Sequence, residues 1–332
     1  MATIKDVAKK AKVSVATVSA IINSDSNVKV SKKLTKRVEK AILELNYRPN
    51  RIARALSKKE THTIAYVVPS IRNEFFAQIA HFIEDYAFAE GYGVYLCNTH
   101  SNLERVNLYR DNLIENRVGG VITTLSWEIT QGDFINSLQK EGIPIVGLAG
   151  ARIIKTIDTV TINDQAGTKL AINYLFSKQH SKIGFIGSRD SKTTSIRLLG
   201  YKKAFKEANL KIDSNLIELG KAFSRDEGYL LAKKLIQKNS KVSAIFVYND
   251  VMAAGVIELL NDLGLAVPND IAVIGYDDSI AKYIRPKLTT MALPKEKMVN
   301  NTMQILFQRI NKKAGEIIHR KVLPEIIQRD ST

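Results

Sequence analysis

The sequence predicts a small all-α unit at the N-terminus and, after it, an α/β body of two doubly wound parallel-sheet lobes. Three observations predict this. Residues 1–60 hold 15 Lys/Arg against 5 Asp/Glu, so +10 of the net +16 sits in under a fifth of the 332 residues. Apolar residues recur at helical spacing in three short stretches of residues 1–45. Beyond residue 60, strand-like and helix-like runs alternate for about 270 residues, too many for one layer set and comfortable for two lobes.

The bulk composition, 45% hydrophobic and 25% charged, is ordinary for a soluble globular protein. The charge asymmetry instead points to an N-terminal polyanion binder on a more balanced body. A single cysteine, Cys97, rules out an intramolecular disulfide framework and fits a reducing compartment. It lies in the apolar run GVYLCN and reads as buried strand rather than catalytic thiol. The start, MATIKDVAKK, has no apolar signal core, and no stretch approaches 18 apolar residues. A cytoplasmic protein with no membrane partner is expected.

In the N-terminal unit, Thr3 can cap a first helix whose first turn carries Asp6 and whose inner face is Val7, Ala8 and Ala11. Lys12-Val13-Ser14 is a tight turn. Ser14 caps a second helix, 15–22, with Val18, Ile21 and Ile22 inward. After a polar loop, Ser31 caps a third helix with Leu34, Val38, Ala41, Ile42 and Leu45 inward. Two short helices joined by a tight turn and closed by a third form a helix-turn-helix pattern, whose second helix enters a DNA major groove. The outward residues there are Val15, Ala16, Ser19, Ala20 and Asn23. This small, mostly apolar face suits thymine methyls and offers few strong donors.

The joint to the body reads NYRPNRIARALSKK, 46–59. Pro49 ends the preceding helix, and Asn50 can cap a short one over 51–58. About eight residues do not hold a helix alone in water, so this one should form only when something supports it. Arg48, Arg51 and Arg54 suit phosphates. Leu56, flanked by Ala53 and Ala55, reads either as a residue tucked on a neighbouring domain or as a minor-groove wedge.

IKDVAKKAKVSVATVSAIIN and LNYRPNRIARAL together resemble the headpiece and hinge of the LacI/GalR family of bacterial transcription regulators. The resemblance implies base-reading roles for Val15, Ala16, Ala20 and Asn23. It implies backbone grips by Thr17, Ser19, Ser31, Tyr47, Asn50 and Arg51, with Leu56 as the minor-groove leucine and Ala53 beside it. Many family members carry Arg or His where this chain has Ala20, so a guanine contact is missing.

In the body, strand-like runs fall at 63–68, 94–97, 121–124, 145–148, 159–162, 183–186, 244–247 and 272–275. Helical periods fall at 75–90, 103–116, 165–178, 196–208, 228–237 and 252–263. Ligands of open α/β sheets bind beyond the carboxyl ends of the strands, and two facing lobes make a cleft there. There is no GxGxxG after a strand, no Walker loop and no GxSxG elbow, and the five histidines lack metal-ligand spacing. No catalytic centre, metal or cofactor is expected.

The strand-end residues are of the binding type. Ser70, Phe75 and Phe76 follow the first strand, although either phenylalanine also reads as core. Thr124 closes another, with Trp127, the only tryptophan, just beyond. Asp190 and Arg197 bracket a polar loop. Asn249-Asp250 and Asp277-Asp278 end two further strands; Asp250 also reads as a helix N-cap and the second pair as cap or turn residues. Aromatic, amide, guanidinium and carboxylate groups together suit a polyol.

The resemblance continues through SIRLLGYKKAF, AIFVYNDVMAAGVI and VPNDIAVIGYDDSIAKYIRPKLTTM, which look like the family's effector domain. That domain is similar to type I periplasmic sugar-binding proteins. It implies effector-binding roles for Ser70, Phe75, Phe76, Thr124, Arg197, Phe223, Asn249 and Asp277. The implied division is a DNA-binding unit at 1–45, a hinge at 46–60 and an effector and dimerisation domain at 61–332. Its N-lobe would be 61–161 with 293–323, and its C-lobe 162–292 with 324–332. Family members often read Asp-Arg where this chain has Ala149-Gly150, which makes a common sugar less expected. No leucine heptad tail appears, so a homodimer on a near-palindromic double-stranded operator is implied, with control by a small carbohydrate-like effector or, alternatively, by a protein corepressor.

Overall fold

The computed structural model describes residues 2–22, 30–47, 61–150, 153–238, 241–312 and 315–332. The chain forms two units, Met1–Thr61 and His62–Thr332.

The first unit is three helices, α1 (Ile4–Ala11), α2 (Val15–Ile22) and α3 (Lys32–Glu44). None is long enough to persist alone, so caps and a shared core hold them. Thr3 and Asp6 form a reciprocal capping box: the Thr3 amide donates to Asp6 Oδ2 at 2.8 Å, and the Asp6 amide donates to Thr3 Oγ1 at 3.4 Å. The Thr3 amide, and then its hydroxyl, hold the Asp6 carboxyl below its ordinary pKa. Ser14 accepts from the Thr17 amide at 3.1 Å, and Ser31 from the Leu34 amide at 3.4 Å. Val7, Ala8, Ala11, Val18, Val38 and Ala41 are buried together, with Ile21, Ile22, Ile42, Leu45 and Tyr47 packed around them. Arg37 reaches from α3 to the Lys12 carbonyl at 3.1 Å and ties the turn to the core.

The second unit carries two six-stranded sheets. In chain order its elements are β1 (Thr63–Val68), α4 (Glu74–Ala89), β2 (Gly93–Asn98), α5 (Leu103–Glu115), β3 (Gly120–Thr123), α6 (Trp127–Gln131), α7 (Phe134–Lys140), β4 (Ile145–Leu148) and β5 (Asp158–Ile162). Then come α8 (Asp164–Ser177), β6 (Ile183–Ser188), α9 (Lys192–Glu207), β7 (Ile217–Gly220), α10 (Arg225–Lys238), β8 (Ala244–Val247), α11 (Asp250–Asp262), β9 (Ala272–Asp277) and β10 (Thr289–Ala292). The chain ends with α12 (Lys295–Ile310), β11 (His319–Val322) and β12 (Glu325–Ile327).

The first sheet runs β11-β5-β4-β3-β1-β2, all parallel. The second runs β12-β10-β9-β8-β6-β7, parallel except for the antiparallel edge strand β12. Both follow the doubly wound order in which the first strand lies inside the second. The chain passes between lobes after β5, after β10 and after β11. Central strands such as β6 and β9 are buried at every position, as parallel sheets covered on both faces require. Cys97 is buried in β2, and burial pushes its thiol up to about 12.

Four strands and three helices do not appear in the sequence reading. β7, β11 and β12 are edge strands, and β11 is polar and exposed at His319, Arg320 and Lys321, so no apolar run marks it. α6 and α7 are too short to show a period. α12 does carry a buried stripe, including Met298, Thr302, Met303 and Leu306, but Asn300 and Asn301 interrupt it. α9 begins at Lys192 rather than at residue 196, because Ser191 caps a polar first turn by accepting from the Thr194 amide.

Helices α10 and α11 pack through glycine. A Cβ on Gly228 would collide with the Met252 carbonyl, and one on Gly255 with the Arg225 carbonyl. Gly255→Ala should therefore force the pair apart and destabilise the body by about 1–3 kcal/mol, measured by urea unfolding. An unchanged midpoint would show that the helices have room to shift.

Candidate functional site

The carboxyl ends of both sheets frame a cavity of about 1040 Å³. Its first-lobe wall comes from the segments after β1, β3 and β4. Its second-lobe wall comes from the N-terminal parts of α8 and α9 and the ends of β8 and β9. All eight effector residues named from the sequence line it: Ser70, Phe75, Phe76, Thr124, Arg197, Phe223, Asn249 and Asp277.

On the first lobe, Ser70 accepts from the Arg72 amide at 3.2 Å, and Asn73 caps α4 by accepting from the Phe75 amide at 2.9 Å. This turn sets Phe75 and Phe76 edge to face, 5.2 Å apart at 69°. Phe75 is both core and lining: it is buried, belongs to the main hydrophobic cluster and still faces the cavity. Thr124 is buried, whereas Trp127 is 59% exposed. Ala149 and Gly150 bring no charge to the end of β4.

On the second lobe, Arg197 is buried and spends its donors within the protein. Its Nε and Nη2 donate to Asp164 Oδ1 at 2.8 and 2.7 Å, and its Nη1 donates to the Tyr248 carbonyl. The guanidinium lies 3.4 Å from the Tyr276 ring centroid and 4.5 Å from that of Tyr248. Burial opposes its charge, but Asp164, then Tyr276 and Tyr248, outweigh this and raise its pKa above the ordinary value. Tyr248 also packs on Phe223, the ring centroids 4.6 Å apart and tilted by 35°, giving this wall an aromatic surface.

Asn249 is the N-cap of α11, accepting from the Met252 amide at 2.9 Å. Asp250 is therefore not the cap. It is the first helical residue, fully buried, and accepts from the Thr290 hydroxyl at 2.6 Å and the Ser279 amide at 2.8 Å. Asp277 lines the cavity with φ 96°, followed by Asp278 at φ 50°, a pair of left-handed residues that turns the chain sharply. The Ser279 amide also donates to Asp277 Oδ1 at 2.9 Å. Two first-lobe side chains grip the same turn. Lys295 Nζ donates to the carbonyls of Asp277 and Asp278 at 2.6 and 3.0 Å, and Gln78 Nε2 donates to that of Ser279 at 3.1 Å.

Burial, and then the Asp277 charge, push the Asp250 carboxyl well above its ordinary range; burial also raises Asp277. Burial lowers Lys295. Asp164, Tyr248, Glu128 and Lys295 are site residues that sequence reasoning missed. Asp164 was within reach of the strand-end rule, two residues past β5, but reads from sequence as an ordinary first-turn acid.

In the first unit, Val15 and Ala16 are exposed at the start of α2, and Thr17, Ser19 and Ala20 are half-buried. Ser31 is exposed at the head of α3, while Tyr47 packs on the core. Asn23, Asn50, Arg51, Ala53 and Leu56 lie outside the described residues, as does the hinge from residue 48 to 60. No group of His, Cys, Asp and Glu that could hold a metal occurs among the described residues, and no described helix is long and apolar enough to cross a membrane.

A family model for bacterial regulatory proteins of the lacI family matches residues 3–50, and one for a periplasmic binding protein-like domain matches residues 172–332. The HTH-type transcriptional repressor PurR of Histophilus somni is 36% identical over 333 residues, covering 100% of this chain and 99% of its own. The ribose operon repressor of Escherichia coli is 35% identical and covers 100% of both chains. Among solved structures, the lac repressor dimer bound to operator and the anti-inducer ONPF has a TM-score of 0.88 and 26% identity, covering 99% of this chain and 98% of that one.

The raised pKa of Asp277 has a signed consequence. A carboxyl whose folded pKa exceeds its unfolded value, about 3.9, contributes stability below that value and loses it as pH rises through the folded pKa. Asp277→Asn, which keeps an acceptor for the Ser279 amide, should thus gain stability relative to the parent as pH rises from 4 to 7. Parallel stability curves for the two proteins would contradict this.

Proposed function

The chain belongs to the lacI family of bacterial regulatory proteins, and on that premise we propose that it is a sequence-specific DNA-binding transcriptional repressor controlled by a small molecule in the inter-lobe cleft. The single observation that carries the effector half is the cavity of about 1040 Å³ at the carboxyl ends of both sheets, with aromatic, amide, guanidinium and carboxyl groups converging on it. The DNA-binding half is supported by the capped three-helix unit and the +10 charge of residues 1–60.

In this reading residues 1–45 bind DNA, 46–60 are the hinge and 61–332 bind effector and dimerise. Val15, Ala16, Ala20 and Asn23 face base edges; Thr17, Ser19, Ser31, Tyr47, Asn50 and Arg51 grip the backbone; Ala53 and Leu56 enter the minor groove. The effector is a sugar or a related metabolite, a class supported by the ribose operon repressor among the relatives. A ligand touching both walls favours one lobe arrangement, and a coupling of about 1–3 kcal/mol gives 5–150-fold control of DNA affinity. The turn at Asp277–Ser279 is suited to carry that coupling, because one side faces the cavity and its carbonyls hold Gln78 and Lys295 of the other lobe. The protein acts as a regulator rather than an enzyme, and in the cytoplasm, where its operator is.

A homodimer is supported by the edge strand β2. Among the described residues it pairs only with β1, and it leaves Tyr95 and Leu96 about half exposed; Phe88 of α4 and Leu108 of α5 are exposed as well. An apolar sheet edge of this kind calls for a cover.

Selection from a random duplex library with the full chain should enrich two inverted half-sites. Enrichment of a single asymmetric site, or none, would count against a dimeric repressor. On the selected operator, Leu56→Ala should lose roughly tenfold or more in affinity while binding to scrambled duplex holds; equal losses would remove the wedge role. Leu96→Arg should move the molar mass measured by light scattering from dimer to monomer. A dimer that persists would relocate the interface.

A further inference from the structure

We propose that Glu128 is the first lobe's ligand-binding carboxylate, and that it takes hydroxyl or amine donors rather than phosphate or carboxylate groups. This rests on the cleft being the effector site.

Glu128 is only 3% exposed, yet it lines the cavity. A carboxylate has about four acceptor positions. Among the described residues the Glu128 side chain receives one hydrogen bond, from the Thr99 hydroxyl at 3.3 Å. That same hydroxyl also reaches the Val68 carbonyl at 3.2 Å, and it has a single proton to give. No salt bridge to Glu128 occurs among the described residues, although Arg72, Lys192 and Lys221 line the same cavity. A carboxylate held at 3% exposure, with one protein donor and its remaining acceptor positions turned to the cavity, lowers the stability of the empty protein. It keeps its place if a ligand completes it.

The other acids of the cleft are engaged elsewhere or lie in solvent. Asp164 holds Arg197, Asp277 accepts the Ser279 amide, and Asp190 is exposed. The neighbouring strand end offers only Ala149 and Gly150. Glu128 is thus the one acid that the first lobe brings to the cavity among the described residues. Trp127 beside it is 59% exposed and presents a flat apolar face, which suits the C–H face of a sugar ring whose hydroxyls meet the carboxylate. The competing structural role is weak. Glu128 sits in the first turn of α6, where a helix N-terminus favours a carboxylate, but that helix has five residues and its cap Ser126 makes no capping hydrogen bond.

The experiment uses the full chain, with Glu128→Gln and Glu128→Met, in thermal-shift titrations with D-ribose, D-glucose, D-galactose and ribose 5-phosphate. Without ligand, Glu128→Met should melt higher than the parent. Any neutral sugar that shifts the parent should bind Glu128→Gln at least roughly tenfold more weakly, a loss of about 1.4 kcal/mol. A lower melting temperature for Glu128→Met would make the carboxylate structural and overturn the proposal. Equal sugar affinity in parent and Glu128→Gln would overturn it as well. If no sugar shifts the parent while Glu128→Met still melts higher, the sugar reading of the cleft fails and the role of Glu128 as a carboxylate kept for a ligand of another class is supported.

Discussion

The second lobe depends on one buried charge. Arg197 is held by Asp164 from the start of α8, by the Tyr248 carbonyl at the end of β8, and against the rings of Tyr248 and Tyr276. Removing either charge of such a pair leaves the other uncompensated, which typically costs about 3–5 kcal/mol. The pair is therefore not a source of stability so much as a constraint. It requires α8, α9, β8 and β9 to meet at one point, and that point is the second-lobe wall of the cavity. A fixed guanidinium and two fixed rings give that wall a shape before any ligand arrives.

The opposite wall is built differently. It rests on short turns: the Asn73 cap that sets Phe75 and Phe76, and the brief α6 that carries Trp127 and Glu128. Where the walls meet, Asp277–Ser279 turns through left-handed backbone and is gripped by Gln78 and Lys295. Rigid on one side, turn-built on the other and linked through backbone carbonyls, the body has the parts a two-state regulator needs.

The fold was legible wherever a strand was central or a helix long. β1, β4 and β8 match apolar runs residue for residue, because burial on both faces leaves no room for polar interruption. β11 was not legible, since an edge strand reading His-Arg-Lys-Val carries no burial signal. At the site, strand ends pointed to Asn249 and Asp277. Asp164 and Tyr248 escaped because what marks them is their hold on Arg197, a partner brought close by folding and not by spacing. Glu128 escaped because burial of a charged residue has no one-dimensional signature. In the helical unit, spacing and caps located Thr3, Ser14 and Ser31, since capping is local chemistry.

The three passages between the lobes also bear on how the chain is made. The strands of the first sheet through β5 leave the ribosome early, but α12, which buries Met303, Ile305 and Leu306 against that lobe, follows about 150 residues later. At typical synthesis rates that is a delay on the order of ten seconds. Throughout it the sheet face that α12 shares with α4 has only α4 to cover it, and β3, β4 and β5 wait for theirs. The two strands made last, β11 and β12, are edge strands, so each sheet can assemble around its centre and be closed at the rim. The helical unit has no such wait, being a contiguous segment with its own core. During translation the nascent chain thus presents a finished N-terminal unit beside an unfinished lobe, and that interval is when a chaperone has most to hold.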